Sequence, residues 1–139
     1  MRLSSFAGVW RLERVIEDAR AGRIGRLTGE ARFTAAADGL AYAETGTLAF
    51  PDGPPMQASR RYLWREGGAG GIDVLFDDGR FFHSFDPDAP TPTAAHDCPP
   101  DSYRVSYDFA AWPLWRAEWR VSGPRKDYTM FSRYRPFAA

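Results

Sequence analysis

Large apolar side chains recur at every second position along much of the chain, and a period of two predicts strands rather than helices. Leu40, Tyr42, Glu44, Gly46, Leu48 and Phe50 alternate with Ala41, Ala43, Thr45, Thr47 and Ala49, giving one face of larger residues. Tyr103, Val105, Tyr107 and Phe109 alternate with Arg104, Ser106 and Asp108, and Trp115, Ala117, Trp119 and Val121 with Arg116, Glu118 and Arg120. That pattern fits antiparallel strands with one face buried and the other in water. Further strands are expected at 9–16, 27–34, 59–66, 72–76, 81–85 and 128–135. Turn chemistry falls between them: Asp38-Gly39, Gly67-Gly68, Asp78-Gly79 and Gly123-Pro124 supply positive φ or a fixed φ. The stretch 86–100 holds Pro87, Pro90, Pro92, Pro99 and Pro100. Proline donates nothing to a ladder, so a long loop or lid is expected there.

About nine strands joined by short turns form a meander, and a meander has two edges that closure removes. The expected fold is therefore all-β: an antiparallel up-and-down barrel of about 8–10 strands, ahead of a two-sheet sandwich. The distinction matters for function. A barrel of this size has an interior that can hold one small ligand, whereas a sandwich offers a filled core.

Composition narrows the class. With 139 residues the chain is expected to be one domain, and 44% apolar with 15% aromatic residues suffices for a core. The 18 basic and 18 acidic side chains cancel, so no long-range field draws in nucleic acid or an anionic membrane, and neither is an expected partner. Cys98 is the only cysteine, which excludes an internal disulfide framework. The first residues, Met1 to Phe6, lack the apolar stretch of a signal peptide, and a cytoplasmic location is expected. Lys126 is the only lysine among the 18 basic residues. A GC-rich genome favours arginine codons and explains such an excess; the sharper alternative is that some arginines are fixed forks for an anion.

Two resemblances rest on particular residues. Gly8-Val9-Trp10 opens the first strand, and Lys126-Asp127-Tyr128 followed by Arg133 and Arg135 forms the last. This pairing resembles the calycins, the lipocalins above all, and implies that Trp10 plugs the barrel base while Arg133 or Arg135 stacks across it where first and last strands meet. The runs 78–85 (DGRFFHSF), 96–103 (HDCPPDSY) and 119–128 (WRVSGPRKDY) resemble the bacterial family catalogued as domain of unknown function 6314. That resemblance implies a small barrel and brings no reaction, ligand or catalytic residue.

Candidate chemistry collects on a few positions. In 81–85, alternation groups Phe81, His83 and Phe85 on one side and Phe82 and Ser84 on the other, so an inward His83 would sit among aromatics. It reads either as a satisfied core histidine or as a proton carrier, ligand partner or axial haem ligand. His96, Cys98 and Asp101 could converge at a barrel mouth beside Tyr103. One cysteine and two histidines without a Cys-x-x-Cys pair fall short of a structural zinc set, and a cysteine nucleophile would lack an oxyanion hole. Local hydrogen bonding within a loop is the plainer account of these three. No metal site and no cofactor is expected.

Charges on inward registers are more telling. Arg14 shares a face with Trp10 and Leu12, Glu44 with Tyr42 and Leu48, and Arg61 with Leu63. Buried charges must pair or bind something. If Arg14 or Arg61 meets Glu44 inside, the cavity is polar-lined and suited to a small anion; a register off by one residue would turn these groups to solvent. Three functions follow. The favoured one is a binding module for a small apolar or amphipathic molecule, an anionic one among the options, with His83, Arg61, Glu44, Tyr42, Arg14, His96, Asp101 and Tyr103 as contacts. The second is a small enzyme, an isomerase, hydrolase or haem-dependent catalyst, using the same cavity. The third is a filled barrel acting as a structural or interaction protein. No residue pair forces catalysis, and the sequence leaves oligomeric state open, with a dimer as one option.

Overall fold

The computed structural model describes residues 1–137. A single turn of 3-10 helix at Leu3–Phe6 precedes ten strands: β1 (Gly8–Asp18), β2 (Arg23–Ala36), β3 (Gly39–Ala49), β4 (Met56–Glu66), β5 (Ile72–Phe76), β6 (Phe81–Phe85), β7 (Thr93–Cys98), β8 (Asp101–Asp108), β9 (Trp115–Ser122) and β10 (Asp127–Pro136). They form one antiparallel sheet in the order β6-β5-β4-β3-β2-β1-β10-β9-β8-β7. Each chain neighbour pairs with the next except β6 and β7, and β1 pairs with β10 from Trp10↔Pro136 to Asp18↔Tyr128. The sheet thus curls into an all-β, nearly closed antiparallel barrel whose seam lies between β6 and β7.

The strand map read from alternation matches this sheet in nine of its ten members, and β7 is the exception. Residues 93–98 were expected in a loop, yet Thr93–Cys98 pairs with β8. Its five neighbouring prolines flank the strand rather than interrupt it. As an edge strand β7 needs partners on one side only, so prolines just outside it cost no ladder bond.

Alternation also sets what lies inside. Trp10, Leu12 and Arg14 on β1 point in, as do Leu27, Ala31 and Phe33 on β2, and Leu40, Tyr42 and Glu44 on β3. One end of the interior is closed by the N-terminal turn. Phe6 is fully buried against Phe33, Trp64, Phe109, Trp112 and Trp115, with ring centroids 5.1–5.8 Å apart for Phe33, Trp64, Trp112 and the two other partners. Trp10 donates its indole N–H to the Phe6 carbonyl at 2.8 Å, which ties that turn to β1.

Trp10 is buried at this end of the barrel, and no arginine stacks across it among the described residues. Arg133 and Arg135 point outward and reach Glu13 at 2.8 and 3.9 Å. Trp10 packs instead on Trp112 and Trp115, and the described cation–π contacts involve Phe137, Phe50, Phe76 and Tyr103 rather than Trp10. The aromatic supply of the 109–115 segment has taken the place of the guanidinium.

Bending β2 and β3 around this core brings their backbones together at Gly29↔Gly46. A Cβ on Gly29 would lie 2.0 Å from the Thr45 carbonyl oxygen, and one on Gly46 2.8 Å from that of Thr28. Substituting Gly29→Val is expected to cost about 1–3 kcal/mol, the range for forcing extra atoms into a filled interior. Thermal unfolding checks this; a variant as stable as the parent would mean that the approach is not obligatory.

Candidate functional site

The inner face of the barrel carries a closed polar network. Arg14 on β1 is 5% and Glu44 on β3 is 3% exposed, and their forks meet at 2.6 Å (Nη1 to Oε2) and 3.0 Å (Nη2 to Oε1). Arg14 Nε donates to Ser132 Oγ at 2.7 Å. Tyr42 donates to Glu44 Oε1 at 2.6 Å, which leaves its oxygen to accept from Tyr134 at 3.0 Å. Two carboxylate oxygens and a guanidinium are therefore mutually satisfied. Burial works against charge on both partners, but Tyr134 and Glu44 hold Arg14 above its usual range, and the hydrogen bond and charge of Arg14 hold Glu44 below the usual carboxylate value. Burial, with Tyr134 next, pushes the Tyr42 hydroxyl well up, so it stays protonated at neutral pH. The cluster is an ion pair wrapped in neutral hydroxyls.

A second group lies near the seam. His83 is 2% exposed and its Nε2 meets the Tyr107 hydroxyl at 2.8 Å. No described residue partners its Nδ1, and the same holds for the indole N–H of Trp115. Burial, aided by the charge of His96, lowers the His83 pKa to about 3. At neutral pH it is an uncharged imidazole.

Both groups line one interior cavity of about 40 Å3, shared with Tyr62, Phe82, Trp119 and Met130. That volume holds one or a few waters and falls far below the roughly 300 Å3 of an ordinary small-molecule pocket. Beyond it, Phe82 stacks on Trp119 at 5.2 Å and Phe76 at 4.5 Å and meets His96 edge-on at 5.2 Å. Because β6 and β7 share no ladder, this aromatic cluster spans the seam with side chains.

The face assignment on β6 needs correction. Phe81 is 56% exposed whereas Phe82 is 6% exposed, so Phe82 and His83 both point inward. The ladder to β5 pairs Val74 with His83 but Leu75 with Phe81, a bulge that leaves Phe82 as the extra residue. Arg61 is corrected too: it is exposed on the outer surface beside Asp77 and Asp78. The arginine at the inward register of β4 is Arg60, opposite Glu44, with its Nη2 3.8 Å from Met130 Sδ. Both faces of β4 carry arginine and apolar residues in turn, and the sequence offered no asymmetry to choose between them.

The structure brings Arg14, Tyr42, Glu44 and His83 to one cavity and leaves the other candidates outside it. His96 and Tyr103 lie in the aromatic cluster by the seam, with ring centroids 6.2 Å apart. Asp101 pairs with Lys126 at 3.0 Å, and Lys126 also donates to the Tyr103 hydroxyl at 3.0 Å. Cys98 is exposed. Cys98 faces Asp101 across the β7–β8 ladder, but no side-chain hydrogen bond joins His96, Cys98 and Asp101 among the described residues, and no cluster of three or more metal-ligating side chains occurs among them. Gly8 opens β1 with φ of 123° and pairs with Phe33. Sequence reasoning missed Ser132, Tyr134 and Arg60; for the first two, alternation from Met130 was the available signal.

The family of unknown function designated DUF6314 matches residues 6–136. The chain belongs to that family. No curated protein matches the chain. Among solved structures, the S-type phycobiliprotein lyase CPES from Guillardia theta is similar at a TM-score of 0.61 and 12% identity, covering 100% of this chain and 94% of that one. At that identity the likeness shows the fold alone, the nearly closed antiparallel barrel described above. No helix among the described residues is long and apolar enough to cross a membrane.

Proposed function

We propose that this protein binds a small, uncharged polar or amphipathic molecule whose polar end enters the barrel interior. The observation that carries the reading is a pair of buried polar atoms, His83 Nδ1 and Trp115 Nε1, that lack partners among the described residues and belong to residues lining the same cavity. Leaving such a group unpaired costs about 1–3 kcal/mol, so an occupant able to accept from the indole and bond the imidazole is favoured. The Arg14 fork is already engaged by Glu44, which argues for a neutral end rather than an anion. An apolar body would rest against Tyr62, Phe82 and Trp119 after side-chain rotation at the unpaired seam.

The small cavity supports a second reading, a filled barrel whose orphan atoms are met by water alone. Titration of the protein with a chemically varied panel of fatty acids, flavonoids and simple phenols, followed by tryptophan fluorescence, separates the two. Saturable quenching that His83→Phe weakens by about tenfold, the worth of one hydrogen bond, supports the binding reading. Silence across the panel supports the filled barrel.

A further inference from the structure

The outer surface holds an arrangement that the interior does not explain. Where β1, β10 and β9 run side by side, Arg11 stands directly opposite Arg135, and Arg133 directly opposite Arg116. Like charges facing each other across a ladder destabilise a sheet. Here two such pairs lie on adjacent strands and line one groove of about 540 Å3. Acids stand across the neighbouring ladders, Glu30 opposite Arg11 and Asp108 opposite Arg116, but among the described residues neither reaches ion-pair distance of its arginine, and Glu30 meets Arg32 at 3.4 Å. Glu13 serves Arg133 at 2.8 Å and Arg135 at 3.9 Å, while Arg11 and Arg116 pair with no carboxylate among the described residues. Asp108 also borders the groove, but its Oδ1 is occupied in accepting the Ala110 backbone N–H at 2.9 Å. Four guanidinium groups against two carboxylates leave the groove with an excess of two positive charges.

A GC-rich genome explains many arginines; it does not explain why two pairs of them face each other in one concavity. We propose that this groove binds a small organic dianion, a phosphate monoester being the chemistry that fits. Its two charges match the excess, and its oxygens suit planar guanidinium forks better than ammonium groups. The volume is that of an ordinary ligand pocket. One wall is apolar: the segment 110–114 contributes Ala110, Ala111 and Leu114, and Leu114 is 52% exposed. A ligand with an apolar body attached to the phosphate would cover that side chain while its charged end lies over the sheet.

Isothermal titration calorimetry of the full chain with phenyl phosphate, inorganic phosphate and phenol tests this. Phenyl phosphate should bind at the groove, inorganic phosphate about tenfold more weakly, and phenol without any heat that Arg116→Gln or Arg135→Gln alters. Raised salt should weaken binding, since the groove is open to solvent. Arg116→Gln and Arg135→Gln should each lower the affinity about tenfold. Neither should lower the thermal midpoint of the free protein, because each removes one member of a repelling pair. His83→Phe should leave this binding unchanged, which separates the groove from the barrel interior. The proposal is overturned if neither phosphate compound gives heat at millimolar concentration, or if binding is indifferent to both arginine substitutions. Equal affinity for the two phosphates would remove the apolar body from it, and binding of hexaglutamate without phenyl phosphate would assign the groove to an acidic peptide instead.

Discussion

Replacing Arg14 with methionine is expected to cost about 3–5 kcal/mol of folding stability, the usual loss when one partner of a buried ion pair is removed. The reason lies in what stays behind. Glu44 would keep the Tyr42 hydroxyl and the more distant charge of Arg60 across the ladder, but no ion-pair contact, in an interior where such a carboxylate is costly to hold charged. Glu44→Leu should be similarly damaging, since the guanidinium of Arg14 would keep Ser132 and Tyr134 but lose its counter-charge. The double variant Arg14→Met with Glu44→Leu should recover most of either loss, because two apolar side chains of similar volume suit the surrounding aromatics. Urea unfolding measures this as a shift in midpoint at constant slope. A loss below about 1 kcal/mol for Arg14→Met alone would show that the pair is not desolvated as described.

The same cycle bears on function. If the pair served only stability, the double variant would be as good a protein as the parent, and its fluorescence response to ligands would be unchanged. The sequence keeps instead a polar arrangement that apolar residues could replace at little cost. A network of this kind fixes which atoms face the cavity, and so sets what an occupant can bond to.

Most of the barrel and part of the site were legible in the sequence, for one physical reason. In a strand of ten or more residues with one wet face, the side-chain period is fixed by the pleat, and a charge out of phase with the polar face is conspicuous. Arg14 beside Leu12 and Glu44 beside Tyr42 are of that kind, and both lie inside. The period fails where the ladder does. The bulge at Val74/Leu75 moves Phe82 inward, and no residue in 81–85 announces it, since aromatics occupy both faces. Arg60 and Arg61 are adjacent arginines, so only the observed pairing with Glu44 decides which faces in. Strand β7 was hidden by its prolines. The outer arginine pairs could not be seen at all before the registers of β1, β9 and β10 were known, because Arg11 and Arg135 meet only across a ladder that joins the two ends of the chain.

Acid should expose His83 next. Its folded pKa of about 3 lies below the ordinary 6.5, so as pH falls below 6.5 the unfolded chain takes up a proton that the folded one refuses. The unfolded state then binds more protons, and stability rises with pH across that interval. Stability from this residue is complete above about pH 6.5 and is lost progressively toward pH 3, at about 1.4 kcal/mol per unit. Glu44, held below its ordinary 4.5, acts in the same direction, but its share is lost only as pH falls below that value. The interval between 4.5 and 6.5 therefore isolates the histidine, where it should account for about 2–3 kcal/mol. In His83→Phe that slope should vanish while the steeper loss below pH 4.5 remains. The variant will be less stable at neutral pH, since Tyr107 loses its partner inside the barrel, so the comparison rests on the slope of unfolding free energy with pH and not on its absolute value. An unchanged slope would mean that the imidazole is protonated in the folded barrel, with its Nδ1 already bonded to something that stabilises the charge.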